Sequence, residues 1–567
     1  MAIMKKIFIS IFVLLVSLTS CNDLLQEDPQ FTINGKTLFQ RESDAQLALN
    51  GCYGYLTAWD AYGQAFWELQ EGTSGLYWAQ TNNQMQDELA SMKVPSNNTL
   101  VTMSWRGFYV AIANCNLFLS NLEDSPLSEE YKVYAGAQAK FIRALCYYNL
   151  VFTYGDVPLR LEPSSPLNSN MARTPKNEVI AQIEKDWTDA VNGLKPAEDN
   201  SSKPTVNTAN AYLAKLYWML ASGENTSSSK YWAMAKEYGD KVIDAYQLES
   251  NAGTIFHRET KDSKESIFKL NTSLISVKDD QGNRTNWLFS PQNSTSGISW
   301  GRYRISKAFH DDFRGTYPTD PRLNVTMMSS WVDKNNQTKY AYPFYIVKSG
   351  REEILCTLID YENQSLNPRN PDPEILEEKA RNVFMKSGGD HQGWAYLAKT
   401  YDEKAEAQRS NKHFYLYRYS DLLLLMADVE NELGNKTKAL EYLNRVLSRA
   451  RNSVTPAAVH PQDVPASVSQ DELRIQIYRE RQFELIGECF SFMDVRRRGE
   501  EFFKEHILKR YNDHLITQGH SPAQANANFW DRMLPLNDAK KNMLMPIPQD
   551  EMNANSEISA ANQNFGY

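Results

Sequence analysis

The sequence predicts a mainly α fold, in which antiparallel helical hairpins form a scaffold and a loop-rich region with small β-hairpins interrupts it. Three observations carry that prediction. Apolar residues recur at helical spacing in successive blocks on both sides of the chain's middle. Two of these blocks are separated only by a Gly-Asn pair, where one helix can end and the next begin. Between about residues 251 and 410 the helical period gives way to stretches rich in Asn, Ser, Gly and Thr. The 567 residues are 42% hydrophobic and 23% charged, a composition that can build a large core.

The first element is a targeting segment. In MAIMKKIFISIFVLLVSL, Lys5 and Lys6 precede an apolar run from about Ile7 to Leu18. That run is shorter than the roughly 20 apolar residues of a membrane-spanning helix, so it reads as a secretion signal. The Leu-Thr-Ser-Cys that closes it resembles a bacterial lipobox, whose peptidase cuts before a cysteine that carries a diacylglycerol. Cys21 is therefore the expected lipidation site and first mature residue. Each buried methylene contributes about 0.8 kcal/mol, so the two or three chains of a lipoprotein hold where one binds only marginally.

Helical periodicity then runs through 104–122, 129–155, 176–194, 207–223 and 230–246. The second block stops at Gly155 and Pro158, and the fourth carries small residues at Ala209, Ala211, Ala214 and Ala221. Further on, SDLLLLMADVENELG (420–434) puts Leu422, Leu425, Met426, Val429 and Leu433 on one face. Gly434 suits the position just past a helix end, and Asn435 is expected to cap the next helix. That helix turns Leu440, Leu443, Val446 and Leu447 inward. The pair resembles a tetratricopeptide repeat, with 207–246 as a looser copy. Within the irregular region, SIFKL and YPFYIVK are expected to form small hairpins. The expected division is a signal peptide (1–20), an N-terminal helical part (21–250) and a loop-rich insert with the ligand surface (251–410). Tetratricopeptide-like helices (411–510) and a C-terminal segment (511–567) complete it.

The net charge of −9 argues against nucleic acid as a partner, and Arg496-Arg497-Arg498 reads as a solvated or salt-bridged helix end. Besides Cys21, five cysteines remain, and their spacings fit neither a disulfide framework nor a zinc motif. Cys115 and Cys146 read as small buried hydrophobes. No catalytic constellation emerges. His310-Asp311-Asp312 reads as an exposed helix end. Glu480, Glu484 and Glu488 have a spacing that suits paired carboxylates for glycoside hydrolysis, but Arg479 and Arg481 interleave with them, which favours salt bridging. The eight histidines show no metal spacing, and neither a metal nor a cofactor is expected.

Taken in order, several stretches resemble the SusD/RagB-like outer-membrane lipoproteins of Gram-negative bacteria. They are SCNDLLQEDP, AKFIRALCYYNLVFTYGDVPL, RTPKNEVIAQIEKDWTDA with NTANAYLAKLYWMLA, YRYSDLLLLMADVENELG, YRERQFELIGECFSFMDVRRRGE and the closing MLMPIPQDEMNANSEISAANQNFGY. Two departures stand out: Ser491 and Arg498 replace the family's usual Arg and Trp, and Asn555-Ser556 replaces its common Asn-Pro. The resemblance implies a SusD-like helical scaffold on the outer face of the outer membrane, held there by lipid. It implies a TonB-dependent, SusC-like barrel as partner and a glycan, or in some relatives a peptide, as ligand. Asp23, Glu27 and Asp28 resemble the family's surface-export signal.

Binding a sugar needs a flat apolar ring for its C–H face and polar groups for its hydroxyls. Twelve Trp and thirty Tyr supply the rings. Trp105, Trp187, Trp218 and Trp232 lie in helical patterns and are expected in the core. Trp59, Trp67, Trp78, Trp287, Trp300, Trp331 and Trp394 lie in loop-like contexts. From these and their neighbours the expected ligand-binding set is Trp78, Asn83, Asn286, Trp287, Trp300, Arg302, Tyr303 and Trp331. The leading expectation is a non-enzymatic surface receptor; a surface glycoside hydrolase and a peptide-binding or purely scaffolding member of the family are the alternatives.

Overall fold

The structure, a computed structural model, describes residues 39–79, 83–223, 228–274, 280–291, 299–328, 395–406, 408–517 and 533–567, with strand segments between 330 and 357. Cys21 and Trp394, and the acidic residues behind Cys21, lie outside the described residues.

Helices α1 (Glu42–Leu56) and α2 (Ala65–Gly72) lead into strand β1 (Tyr77–Ala79) and helix α3 (Gln84–Ala90). Two long helices follow, α4 (Thr99–Glu123) and α5 (Glu129–Tyr154), then α6 (Lys176–Gly193), α7 (Val206–Ser222) and α8 (Ser228–Asp240). Their starts follow local chemistry. The Asn98 side chain accepts from the Leu100 and Val101 N–H groups, Ser128 accepts from Tyr131, and Thr205 and Thr208 cap each other reciprocally. Each helix from α4 to α8 packs on its neighbour in sequence. Trp67, expected in a loop, lies on α2, where its ring meets Phe414 at 5.1 Å between centroids.

The middle of the chain supplies β2 (Ser266–Leu270), α9 (Thr285–Phe289), β3 (Tyr303–Ile305), α10 (Lys307–Thr316), α11 (Arg322–Thr326), β4 (Met327–Met328), β5 (Ser330–Val332), β6 (Thr338–Tyr340), β7 (Phe344–Ser349), β8 (Glu352–Thr357), β9 (Tyr396–Leu397) and β10 (Phe414–Arg418). These strands form two-stranded antiparallel ladders. β5 with β6 and β7 with β8 are local hairpins, as expected for YPFYIVK. SIFKL instead pairs across the chain, β2 with β10, and β1 pairs with β3. Alternation in a short apolar run reveals a strand but not its partner.

Helices α12 (Tyr419–Glu432), α13 (Lys436–Arg451), α14 (Gln470–Leu485) and α15 (Ser491–Arg496) complete the scaffold. α12 packs on α13 and α14 and also on α7 and α8, so the two helical groups share one core. Gly434 sits at φ 81°, the left-handed turn that glycine favours after a helix. Asn435 makes no capping bond; its amide donates to Glu430 at 2.7 Å. Trp187 and Trp218 are fully buried, and Trp218 Nε1 donates to Asp428 at 2.9 Å. Cys52, Cys115, Cys146 and Cys489 are buried free thiols.

A buried ion network joins the irregular region to the helices. Arg418 bonds Glu265 at 2.7 Å, Glu484 at 2.7 Å and Glu488 at 2.6 Å. Arg449 bonds Glu265 at 3.1 Å and also Glu484; Arg322 bonds Glu484 at 2.8 Å, Asp320 at 2.7 Å and Glu480. Lys399 reaches Glu488 at 2.6 Å. Glu480 and Glu484 of α14, and Glu488 just beyond it, therefore face inward and pair with distant residues rather than with Arg479 and Arg481. Arg481 turns to Asp421 at 2.7 Å and Asp494 at 2.8 Å.

The Arg496-Arg497-Arg498 run is salt-bridged rather than solvated: Arg497 lies 2.9 Å from Asp428, Arg498 lies 2.7 Å from Glu432, and Arg496 and Arg497 are enclosed. Burial corrects the reading of His310-Asp311-Asp312 as an exposed helix end. His310 is buried too, 2.8 Å from Asp311, which also lies 3.1 Å from His514. Asp312 pairs with Arg479 and, at 3.0 Å, with Arg510. Amphipathic counting on one helix cannot see that other helices cover its polar face.

Candidate ligand-binding surface

Two segments far apart in sequence build one surface. The turn before α2 pairs with residues 280–284: Trp59 N–H donates to Asp280 O at 2.8 Å, Gly282 N–H to Thr57 O at 3.0 Å and Arg284 N–H to Gly63 O at 3.0 Å. Further along, β1 and β3 align Trp78 with Arg304 and Ala79 with Tyr303. Between these two seams, Trp300 N–H donates to Trp287 O at 2.7 Å, which ties the 299–302 turn to α9. Gly301 takes φ 51°; a Cβ there would meet Tyr396 Cε1 at 2.7 Å, so the turn needs a glycine.

The seams bring aromatic rings and guanidinium groups into one ladder. The Arg284 guanidinium carbon lies 3.9 Å from the Trp59 ring centroid and 4.0 Å from that of Trp287. Trp287 and Trp300 meet at 4.3 Å between centroids, tilted by 41°. The Arg302 guanidinium carbon stands 3.9 Å from the Trp300 centroid. Each cation–aromatic contact contributes roughly 0.5–2 kcal/mol. Trp300 is 44% exposed, while Trp287 retains only 6%.

The polar contacts are neutral ones. Arg284 donates to the amide oxygens of Gln64 and Gln408, and Arg302 donates to Asn83 Oδ1. Burial pushes the Arg284 guanidinium down to about 10, with nearby Glu68 opposing the fall and Arg409 adding to it. Burial likewise lowers Arg302. Glu68 is fully enclosed behind the ladder and accepts from Gln64 at 2.8 Å and Gln86 at 2.9 Å. Burial raises its carboxyl against those hydrogen bonds.

Of the residues expected to bind ligand, the structure gathers Trp287, Trp300, Arg302 and Asn83 on this surface. The others lie behind it. Tyr303 is fully buried and stacks on Phe289 at 4.9 Å. Trp78 is buried in β1. Asn286 is buried and accepts from the Asp402 N–H at 2.7 Å. Trp331 is buried edge-on against Tyr396 at 5.1 Å, and Tyr396 carries Arg304 over its ring at 3.5 Å. Trp59 and Arg284 were not among the expected residues. The signal for Arg284 was its place three residues before Trp287, at the start of the same short helix; Trp59 had no such signal, because its neighbour is 225 positions later.

Comparison with known proteins places this surface in context. The SusD family model matches residues 264–567, and the model described as starch-binding associating with outer membrane matches 46–218. The chain is 25% identical to SusD-like protein P2 of Formosa agariphila, over 99% of this chain and 100% of that protein. A SusD homolog from Bacteroides thetaiotaomicron VPI-5482 superposes with a TM-score of 0.73 at 18% identity, covering 95% of this chain and 100% of that one. A laminarin-binding SusD-like protein superposes at 0.63 with 19% identity, covering 93% and 100%. At such identities the likeness to solved structures is one of fold.

Proposed function

The chain belongs to the SusD family, and from that premise we propose that it is a non-enzymatic, lipid-anchored receptor on the outer face of the outer membrane. In this reading it captures an oligosaccharide or polysaccharide and passes it to a TonB-dependent, SusC-like barrel. The observation that carries the reading is the ladder of Trp59, Arg284, Trp287, Trp300 and Arg302, which ends in a half-exposed indole beside a guanidinium fork. An indole accepts the C–H face of a pyranose, and the fork supplies donors for its oxygens. The laminarin-binding neighbour and the starch-binding family description support a glycan as ligand.

Such contacts contribute about 0.5–1.5 kcal/mol each beyond area burial, so an open site of this kind binds weakly. Tethering beside a transporter raises the effective concentration, and weak sites then suffice. The hydrolase reading loses its best carboxylates: Glu480, Glu484 and Glu488 are buried and ion-paired, which withholds them from a glycosidic bond.

Affinity electrophoresis against glycans, glycoproteins and peptides tests the reading. Trp300→Ala is expected to weaken glycan binding by about 1–3 kcal/mol, as a hot-spot aromatic does, with melting temperature nearly unchanged. Undiminished retardation of the variant would remove this surface from consideration, and wild-type protein retarded by nothing would favour a scaffold. Release of oligosaccharide by the purified body would favour the hydrolase. A separate test addresses the anchor: Cys21→Ala is expected to leave a folded protein that no longer partitions with membranes. If the variant stays in the membrane fraction of cells lacking the barrel, the lipid anchor is not what holds it.

A further inference from the structure

We propose that the ligand of this surface is an anionic glycan, whose carboxylate or sulfate groups are bound by Arg302 beside the Trp300 ring. The proposal rests on the reading of the ladder as the ligand surface and narrows it to a substrate class.

Enclosed guanidinium groups in this protein are compensated in one of two ways. Arg322, Arg418, Arg449, Arg481 and Arg497 each bond one or more carboxylates, whereas Arg496 donates to the backbone carbonyls of Asn542, Phe492 and Thr73. Either course offsets part of the cost of burying a charge. Arg284 and Arg302 follow neither. Neither forms an ion pair among the described residues, and their protein partners are the uncharged amide oxygens of Gln64, Gln408 and Asn83. Arg284 is nine-tenths buried between Trp59 and Trp287, so it adds positive charge behind the surface rather than an accessible donor. Arg302 is half-buried, and among the described residues only its Nη1 meets an acceptor, Asn83 Oδ1. Glu68, the carboxylate felt by both, is sealed behind them and held by two glutamine amides.

In a protein of net charge −9, this leaves a local positive site at the one strongly exposed indole of the ladder. The geometry suits an acidic sugar. A planar guanidinium binds a carboxylate or sulfate through two parallel N–H donors. With Arg302 3.9 Å from the Trp300 centroid, an arriving ligand meets cation and ring together. A uronic acid presents both complements on one residue: a C–H face for the indole and a carboxylate at the ring's edge for the fork. A neutral glycan would leave Arg302 without a counter-charge in contact with it.

The test is affinity electrophoresis and titration calorimetry on the full mature body. The acidic probes are polygalacturonate, alginate and chondroitin sulfate; the others are carboxyl-reduced polygalacturonate, laminarin, starch and poly-glutamate. At least one acidic glycan is expected to bind ten-fold or more tightly than the neutral polymers, with affinity falling as salt is raised. Arg302→Gln is expected to weaken that binding at least ten-fold without lowering the melting temperature. Arg302→Lys should not restore it, because an ammonium lacks the planar fork. If a neutral glycan binds, Trp300→Ala abolishes this and Arg302→Gln leaves it intact, the surface stands and the anionic class falls. If an acidic glycan binds but Trp300→Ala changes nothing, the ladder is not the site and both readings fall. Preference for poly-glutamate would assign the surface to acidic peptides and overturn the proposal, and so would retention by none of the probes.

Discussion

Glu484→Ala is expected to destabilise the fold by about 3–5 kcal/mol, the range observed when one partner of a buried ion network is removed. Glu484 lies at the centre of that network. Its two oxygens receive Arg418 at 2.7 Å, Arg322 at 2.8 Å and Arg449, and its backbone carbonyl accepts from Lys399 at 2.7 Å. Truncation leaves three guanidinium groups enclosed with less negative charge than they need. Urea unfolding of the purified body measures the effect; a loss below about 1 kcal/mol would mean that the remaining carboxylates of Glu265, Glu480 and Glu488 suffice. The pH dependence gives a second readout. Burial alone would raise the Glu484 carboxyl, but the guanidinium groups of Arg449, Arg418 and Arg322 overcome it and hold the carboxyl well below the usual range. A group depressed in the folded state contributes stability above its unfolded pKa, about 4.3, and loses it as pH falls below that value. Wild-type stability should therefore fall on acidification below about pH 4.5, and Glu484→Gln should show a shallower fall from a lower starting point.

Trp287→Ala is expected to lower folding stability by roughly 3–5 kcal/mol, as Trp-to-Ala changes in cores do. The residue is 6% exposed, packs with the main core, and stands between Arg284 at 4.0 Å and Trp300 at 4.3 Å. Its removal takes the support from both neighbours, so ligand affinity should fall with stability. Trp300→Ala differs in kind, because that ring already spends much of its surface in water. Melting temperature and affinity measured on both variants separate the roles. Equal and small losses of stability in the two would show that Trp287 is no more a core residue than Trp300.

The difference between these two tryptophans marks what could be read before folding was known. Both sit in loop-like sequence with a glycine or polar neighbours, and their immediate context is nearly the same. Burial depends on what arrives from elsewhere: the turn at Trp59 comes to cover Arg284, while nothing among the described residues covers Trp300 to the same degree. The same reason explains Tyr303 and Trp78. Each was expected at a surface, and each is buried because β1 and β3, more than 220 positions apart, close on one another. Asn83 and Arg302 were expected together and meet across that seam.

By itself the sequence determined several of the long helices and their order, though not α1, α2 and α3. The blocks expected from 129, 176, 207 and 420 correspond to α5, α6, α7 and α12 within one or two residues, because apolar spacing and helix-end chemistry are local properties. It also determined the family, since an ordered series of motifs along the chain survives at low identity. Tertiary structure alone decided which strand pairs with SIFKL, that the α14 carboxylates face inward to Arg322, Arg418 and Arg449, and that Arg284 joins Trp59 in the ladder. These are contacts between residues tens to hundreds of positions apart. A helix records its own periodicity in its residues, whereas a charge or a ring carries no local mark of the partner that will bury it.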